Sequence, residues 1–287
     1  MKTSTEINSA ARIVGEEKAI ELIAKAGFDA WDFSMFSMAK YDWGKKTFDF
    51  NTGHVLSGND YLAFARKLKK IGEDNGIHCN QSHAPFPSGT PEIFPYLMRA
   101  IECTAEAGGE ICVIHPESFS TPEQNAEMYA KLLEFSKPMG VKIATENMWG
   151  WNSETNCAAF AACATPESFK AHVDALNDDF MVACLDIGHA EMMDDTNAVE
   201  LIKELGKRLK SLHIHDNDKW KDTHQIPFSM EIDFPPIVKA LKEIGYDGYF
   251  TLEADSYLKA YNAENVFEGV KNLAKSARRL ADMFEAL

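Results

Sequence analysis

Positive charge is scarce in this chain. Its 287 residues carry 29 Lys and Arg against 44 Asp and Glu, a formal net charge of −15. Proteins hold polyanions by trading condensed counterions for lysines and arginines, so no nucleic-acid partner is expected. Long apolar runs are missing too. No stretch reaches the roughly 20 residues of a membrane span, and the opening MKTSTEIN has no apolar leader core. No Gly-x-Gly-x-x-Gly follows the first strand-like segment, which argues against a dinucleotide fold, and no glycine-rich phosphate cradle is visible. The six cysteines, Cys79, Cys103, Cys112, Cys157, Cys163 and Cys184, include no Cys-x-x-Cys pair. They read as reduced, mostly buried thiols of a cytoplasmic protein.

What is present is an alternation. Helix-like periodicity over 13–27, 59–76, 90–109, 121–140, 165–177, 197–209, 234–248 and 262–287 is interleaved with short apolar runs. The runs are 28–35, 77–84, 110–116, 140–147, 180–189, 210–218 and 249–255, with a further strand near 3–7. Three helices open on Thr-Pro-Glu, at Thr90, Thr121 and Thr165, which pairs an N-cap with proline at the first helical position. Eight strand–helix units without a linker predict one (β/α)₈ barrel, a single TIM-barrel domain over 1–287. With 45% hydrophobic residues the chain can fill such a core.

Six of the runs end on a metal-type ligand: His83, His115, Glu146, Asp186, His213 and Glu253. Neighbours in this series lie 27 to 40 residues apart, Asp186 to His213 being the shortest step. One barrel unit takes roughly 30 residues, and the C-terminal ends of barrel strands meet at one mouth. Carboxylates and imidazoles aimed at one point there call for a cation. Glu146 and Glu253 are the pair of most consequence. Two carboxylates flanking one carbon act as base and acid on its two faces, as aldose–ketose isomerisation or epimerisation requires. A metal beside them polarises the carbonyl and stabilises the enediolate.

The remaining ligand-type residues fall nearby. His189 follows Asp186 in Asp-x-x-His and suits substrate hydroxyls or a second metal. His213 and His215 alternate along one run, so both face the mouth if it is a strand. Asp222 and His224, at i and i+2, can chelate one ion. His83 and His115 are read as ligands of another metal, as substrate contacts, or as groups closing the mouth. His54, His78 and His172 are assigned to surface or packing. Three long loops follow strands, over 36–58, 147–164 and 216–233. They carry Trp43, Trp149, Trp151 and Trp220, and the last three are candidates for stacking on a sugar ring.

These segments resemble the xylose-isomerase-like barrel superfamily, in particular its sugar phosphate isomerase/epimerase group. The likeness covers nearly the whole chain and is strongest from Gly140 onward, through IATEN, LDIGH, HIHDND with DTH nearby, and KALKEIGYDGYFTLE. It implies one divalent ion on Glu146, Asp186, His213 and Glu253, with the two glutamates also moving the proton. It makes His189 a substrate contact and leaves His215 to orient a ligand. The metal would be Mn, Zn, Co or Mg, and the substrate a small sugar, a sugar phosphate or a polyol. A homo-oligomer is compatible with the likeness. The same superfamily holds endonuclease IV, a three-zinc phosphodiesterase of abasic DNA. Its ligand set finds counterparts in His83, His115, Glu146, Asp186, His189, His213, Asp222, His224 and Glu253. The charge of −15 argues against that alternative. Two departures stand out. PFSMEIDF over 227–234 replaces a Gly-x-Gly stretch, so Phe228 and Met230 are expected to fill space beside the substrate. NDKWKDTH also lacks an arginine that contacts substrate in ketose 3-epimerases.

Overall fold

Short runs rich in apolar and β-branched residues form the strands, and most are buried on both faces, as parallel barrel strands must be. The computed structural model describes all 287 residues. The barrel strands are β1 (Lys2–Thr5), β2 (Ala30–Ser34), β3 (His78–His83), β4 (Ile111–Val113), β5 (Lys142–Glu146), β6 (Met181–Asp186), β7 (Leu209–His213) and β8 (Tyr249–Leu252). Strands β2 to β7 lie side by side in chain order as one curled parallel sheet, and β1 pairs in parallel with β8. The two pieces meet through single bridges, Glu6 to Asp32 and Ile214 to Leu252. The architecture is a TIM barrel whose ring is not closed by continuous ladders.

Helices Glu16–Ala26, Tyr61–Asp74, Phe94–Ala107, Pro122–Ser136, Pro166–Asp174, Ala198–Leu205, Phe234–Glu243 and Val266–Glu285 follow the strands. Their apolar faces meet the outer strand residues in one cluster of 64 buried side chains. Trp31 and Phe33 of β2 are fully buried there, each contributing on the order of 2–3 kcal/mol. Thr121 and Thr165 cap their helices as expected, accepting from the backbone N–H of Gln124 and Ser168. Thr90 makes no such bond, because a 3₁₀ turn, Pro91–Ile93, precedes its helix. The helix expected over 13–27 is two helices parted at Gly15, whose φ of 81° breaks the spiral.

Inside the barrel the packing is half apolar and half polar. Val113, Ala144, Val182 and Cys184 form a small separate cluster. Opposite them Gln81 accepts from Ser211 Oγ at 2.7 Å and Thr251 Oγ1 at 3.2 Å, and donates to Asp32 Oδ2 at 2.9 Å. That network carries order from the barrel centre up to the mouth. Two of the long loops hold β-hairpins, Lys40–Asp42 with Thr47–Asp49, and Gly150–Asn152 with Cys157–Ala159. No helix is long and apolar enough to cross a membrane.

Candidate active site

Strand register delivers the expected ligands to one place. His83, Glu146, Asp186 and His213 are the last residues of β3, β5, β6 and β7, and Glu253 directly follows β8. His115 lies two residues past β4, a strand shorter than the expected 110–116. Glu146, Asp186, His213 and Glu253 offer ligand atoms that all lie within 4.8 Å of one another. His213 Nδ1 is 2.9 Å from Glu146 Oε1 and 3.4 Å from Glu253 Oε2. All four side chains are buried, and Glu146 Oε2 and Asp186 Oδ2 have no hydrogen-bond partner. Buried carboxylate oxygens left unpaired at a point where four donors converge fit a divalent cation.

Two residues that sequence reasoning passed over set this geometry. Asp32, in the middle of β2, is buried and lies 3.3 Å from His213 Nε2. A carboxylate behind an imidazole fixes its tautomer and turns the other nitrogen outward, here Nδ1 toward the two glutamates. The signal was a lone Asp inside the apolar run AWDFS. Asn147 ties β5 to β6: its Oδ1 accepts from the Asp186 N–H and its Nδ2 donates to the Asp186 carbonyl, both at 2.8 Å. It stood within the quoted IATEN and had been given no role.

The electrostatics of the two glutamates diverge. Burial pushes Glu146 up, but His213, His115 and His83 around it outweigh burial and hold it well below the usual carboxylate range. Burial raises Glu253 to about 7, with His213 and His224 only partly offsetting it. The two carboxylates therefore differ, one held ionised and the other pushed toward its protonated form. Burial lowers His115 to about 4, so it is neutral.

Around this group open two more. His83 and His115 share Glu146 with it, their Nε2 atoms 3.5 Å and 3.2 Å from Glu146 Oε2. On the other side stand His189, His215, Asp222 and His224. His215, placed by the resemblance as an orienting residue, is 3.1 Å from Asp186 Oδ1 and belongs to this third group. Above lies a cavity of 690 Å³ with Phe36, Trp43, Phe86, Phe119 and Trp149 in its walls and no Lys or Arg.

The rim residues are distributed unevenly around the cavity. Of the three tryptophans proposed for stacking, only Trp149 lines the cavity. Trp151 and Trp220 lie outside it with ring centroids 6.5 Å apart, and the Trp220 indole donates to the Asn156 carbonyl at 2.6 Å. They latch the 216–233 loop to the neighbouring hairpin. Phe228 and Met230 do not fill the substrate space either. Phe228 takes the left-handed φ of 70° that glycine would favour and turns away, under Arg279 and against Phe234. Lys219 pairs with Glu191 at 3.0 Å, away from the cavity. His54, His78 and His172 stay clear of the site: His54 pairs with Glu16, His78 with the Tyr249 hydroxyl, and His172 is packed in its helix.

Comparison with known proteins agrees with this architecture. The family model of xylose isomerase-like TIM barrels matches residues 20–285. An uncharacterized protein of Methanocaldococcus jannaschii, MJ1311, is 25% identical over 271 residues, covering 87% of this chain and 83% of its own. Inosose dehydratase of Clostridium perfringens is 25% identical over 257 residues, covering 83% and 72%. Among solved structures, a D-tagatose 3-epimerase-like protein superimposes with a TM-score of 0.73 at 22% identity, over 100% of this chain and 98% of that one. The IolI protein with a bound zinc atom gives 0.71 at 18%, over 100% and 99%.

Proposed function

The chain belongs to the xylose isomerase-like TIM barrel family, and from that premise we propose that it is a divalent-metal-dependent isomerase or epimerase of a small unphosphorylated sugar or polyol-like ketone. The observation that carries this reading is the convergence of Glu146 and Glu253 on Nδ1 of His213, with Asp186 alongside, beneath a cavity that both glutamates line and aromatic rings wall. Glu146, Asp186, His213 and Glu253 would hold the ion, which when bound polarises the substrate carbonyl. The ionised Glu146 takes the proton from the carbon beside the carbonyl. Glu253 returns one from the other face. His83 and His115 meet the substrate hydroxyls, and Trp149 offers an apolar ring to a sugar face. With no Lys or Arg in the cavity wall, a substrate phosphate would find no partner charge.

The test is turnover in D₂O after chelator treatment and reloading with Mn, Zn, Co or Mg in turn, across a panel of ketoses, aldoses and inososes. Metal-dependent conversion with deuterium at the carbon beside the carbonyl is the expected result. Conversion without exchange would mean a hydride shift and would remove the two-glutamate mechanism.

A second reading, a multi-zinc phosphodiesterase of abasic DNA, is favoured by one observation: three donor groups stand side by side, two of them sharing Glu146. It ranks behind the first because the cavity wall has no cation for a DNA phosphate and the chain carries −15. Zinc-dependent incision of an abasic duplex, lost in His83→Ala, would reverse the order.

A further inference from the structure

The cavity over Glu146 and Glu253 is not a single chamber. A second one of 570 Å³ adjoins it, and Ser88, Gly89, Thr90 and Glu117 line both. The outer chamber is lined by Phe94, the first residue of one helix, and by Gln124, Glu127, Met128 and Lys131 of the next. The neck between the chambers is braced. Glu117 lies against Gly89, where a Cβ would fall 2.3 Å from Glu117 Cγ, so the side chain keeps this place only beside a glycine. The Glu117 N–H donates to Asn125 Oδ1 at 2.8 Å, and Asn125 Nδ2 donates to the Glu117 carbonyl at 3.2 Å. Asn125 is itself buried. Ser88 Oγ donates to the His115 carbonyl at 2.7 Å, which ties the loop after β3 to the loop after β4.

The Glu117 carboxylate accepts from the Ser120 hydroxyl at 2.8 Å and the Phe119 N–H at 3.2 Å, both on Oε2. Its Oε1 is left for a group passing through the neck, and a carboxylate held still beforehand costs less to engage. Phe119, beside the neck in the inner chamber, is 78% exposed, so its ring is apolar surface that a ligand can cover. Cavities of roughly 300–1,000 Å³ take whole drug-sized ligands, so a single six-carbon sugar needs only the inner chamber. The outer one offers acceptors in Glu117 and Glu127, donors in Lys131 and the Gln124 amide, and a flat apolar face in Phe94. A sugar ring, with hydroxyls that donate and accept and a C–H face, answers all three. An anionic group would meet two carboxylates for one lysine, and an alkyl chain would leave the polar groups without partners.

We propose that the substrate is a two-ring sugar. Its ketone-bearing unit sits over Glu146 and Glu253, and a second sugar, joined to it by a glycosidic bond, passes Glu117 into the outer chamber. Glu117 is then the residue that selects for the second ring, through Oε1 and one of its hydroxyls. The inference rests on the isomerase or epimerase reading for what happens in the inner chamber. The outer chamber is a matter of binding, so it is tested without turnover.

The experiment is isothermal titration calorimetry of the manganese-loaded full chain with fructose and with turanose, maltulose and isomaltulose, disaccharides in which fructose carries glucose at different positions. At least one disaccharide should bind about 10-fold or more tighter than fructose, the worth of a hydrogen bond to a charged group. Glu117→Ala, Gly89→Ala, which pushes Glu117 aside, and Met128→Trp, which fills the outer chamber, should each bring that ratio toward one. Three disaccharides that bind no better than fructose overturn the proposal and need no variant to fold. A preference that persists in Glu117→Ala and Met128→Trp overturns it too, and both results leave the chemistry of the inner chamber standing. Tighter binding of fructosamine than of every disaccharide would assign the neck to a cation and likewise overturn it. A disaccharide preference lost in the variants, in a chain that turns over no ketose, supports the two-ring site and removes the isomerase reading instead.

Discussion

The mouth of the barrel carries two donor groups on different foundations. In the floor, Glu146, Asp186 and His213 end three neighbouring strands, and sheet register alone sets their spacing: Cys184 lies opposite Glu146, and Asp186 opposite His213. In the wall, Asp222 and His224 ride a loop that must be ordered by other means. Asp216 does this, accepting from the N–H groups of Asn217, Ser229, Met230 and Ile232 at 2.8–3.1 Å. The difference teaches where each kind of precision comes from. Floor residues are placed by the fold as a whole, whereas wall residues are placed by one buried aspartate and a few side-chain latches.

Substitutions can break that contrast or sharpen it. The largest effect is expected in the floor. Glu146→Gln should cut kcat by about 10³-fold, the range of a lost general base, and circular dichroism should show the fold unchanged. Next is Asp32→Asn, which leaves His213 in place but removes the carboxylate that turns it. Metal affinity, measured by chelator competition, should fall roughly 10- to 100-fold. An unchanged affinity would show that the strand end alone positions the ring.

Glu6, outside both donor groups, adds a pH dependence to the fold itself. It is buried past the end of β1 and bonded to Ser9, and burial raises it to about 7. Between the ordinary carboxylate range and pH 7, the folded chain holds a proton that the unfolded chain has released. That contribution is therefore fully present in acid and is lost as the pH rises through 7. Glu6→Gln should match the parent in urea unfolding near pH 4 and exceed it at pH 8 by on the order of 3 kcal/mol. The smallest effect belongs to the wall. Trp220→Ala removes one hydrogen bond at a residue that is 41% exposed. It should cost about 1 kcal/mol or less and appear mainly as faster amide exchange over 216–233.

The same contrast explains what could be read in the sequence. His83, Glu146, Asp186, His213 and Glu253 were legible because a strand end is a position in a period, and the period is visible as spacing. Asp32 was not legible in this way. It sits mid-strand, and its importance depends on which way His213 turns, a fact of three-dimensional packing. His215 was visible as a histidine, but its membership of the wall group depends on Gly188 making room and on the path of a loop with no periodicity. The tryptophans show the same limit. Trp149 and Trp151 are two residues apart, yet one lines the cavity and the other meets Trp220, because a hairpin begins at Gly150.

The two bridged junctions of the barrel have a consequence for how an ion would be held. β1 and β8 are laddered to each other over four residue pairs, but each joins the rest of the sheet by one bridge. The first and last strands therefore act as a clasp on a hoop of six. Glu146, Asp186 and His213 belong to the hoop, and Glu253 belongs to the clasp. A cation gripping all four would fasten one to the other, so affinity for the ion and closure of the ring become a single linked equilibrium. Chelation should then raise amide exchange in β1 and β8 before it touches β4 or β5. The meeting point of the chain's two ends would be the part of the barrel that reports whether the metal is there.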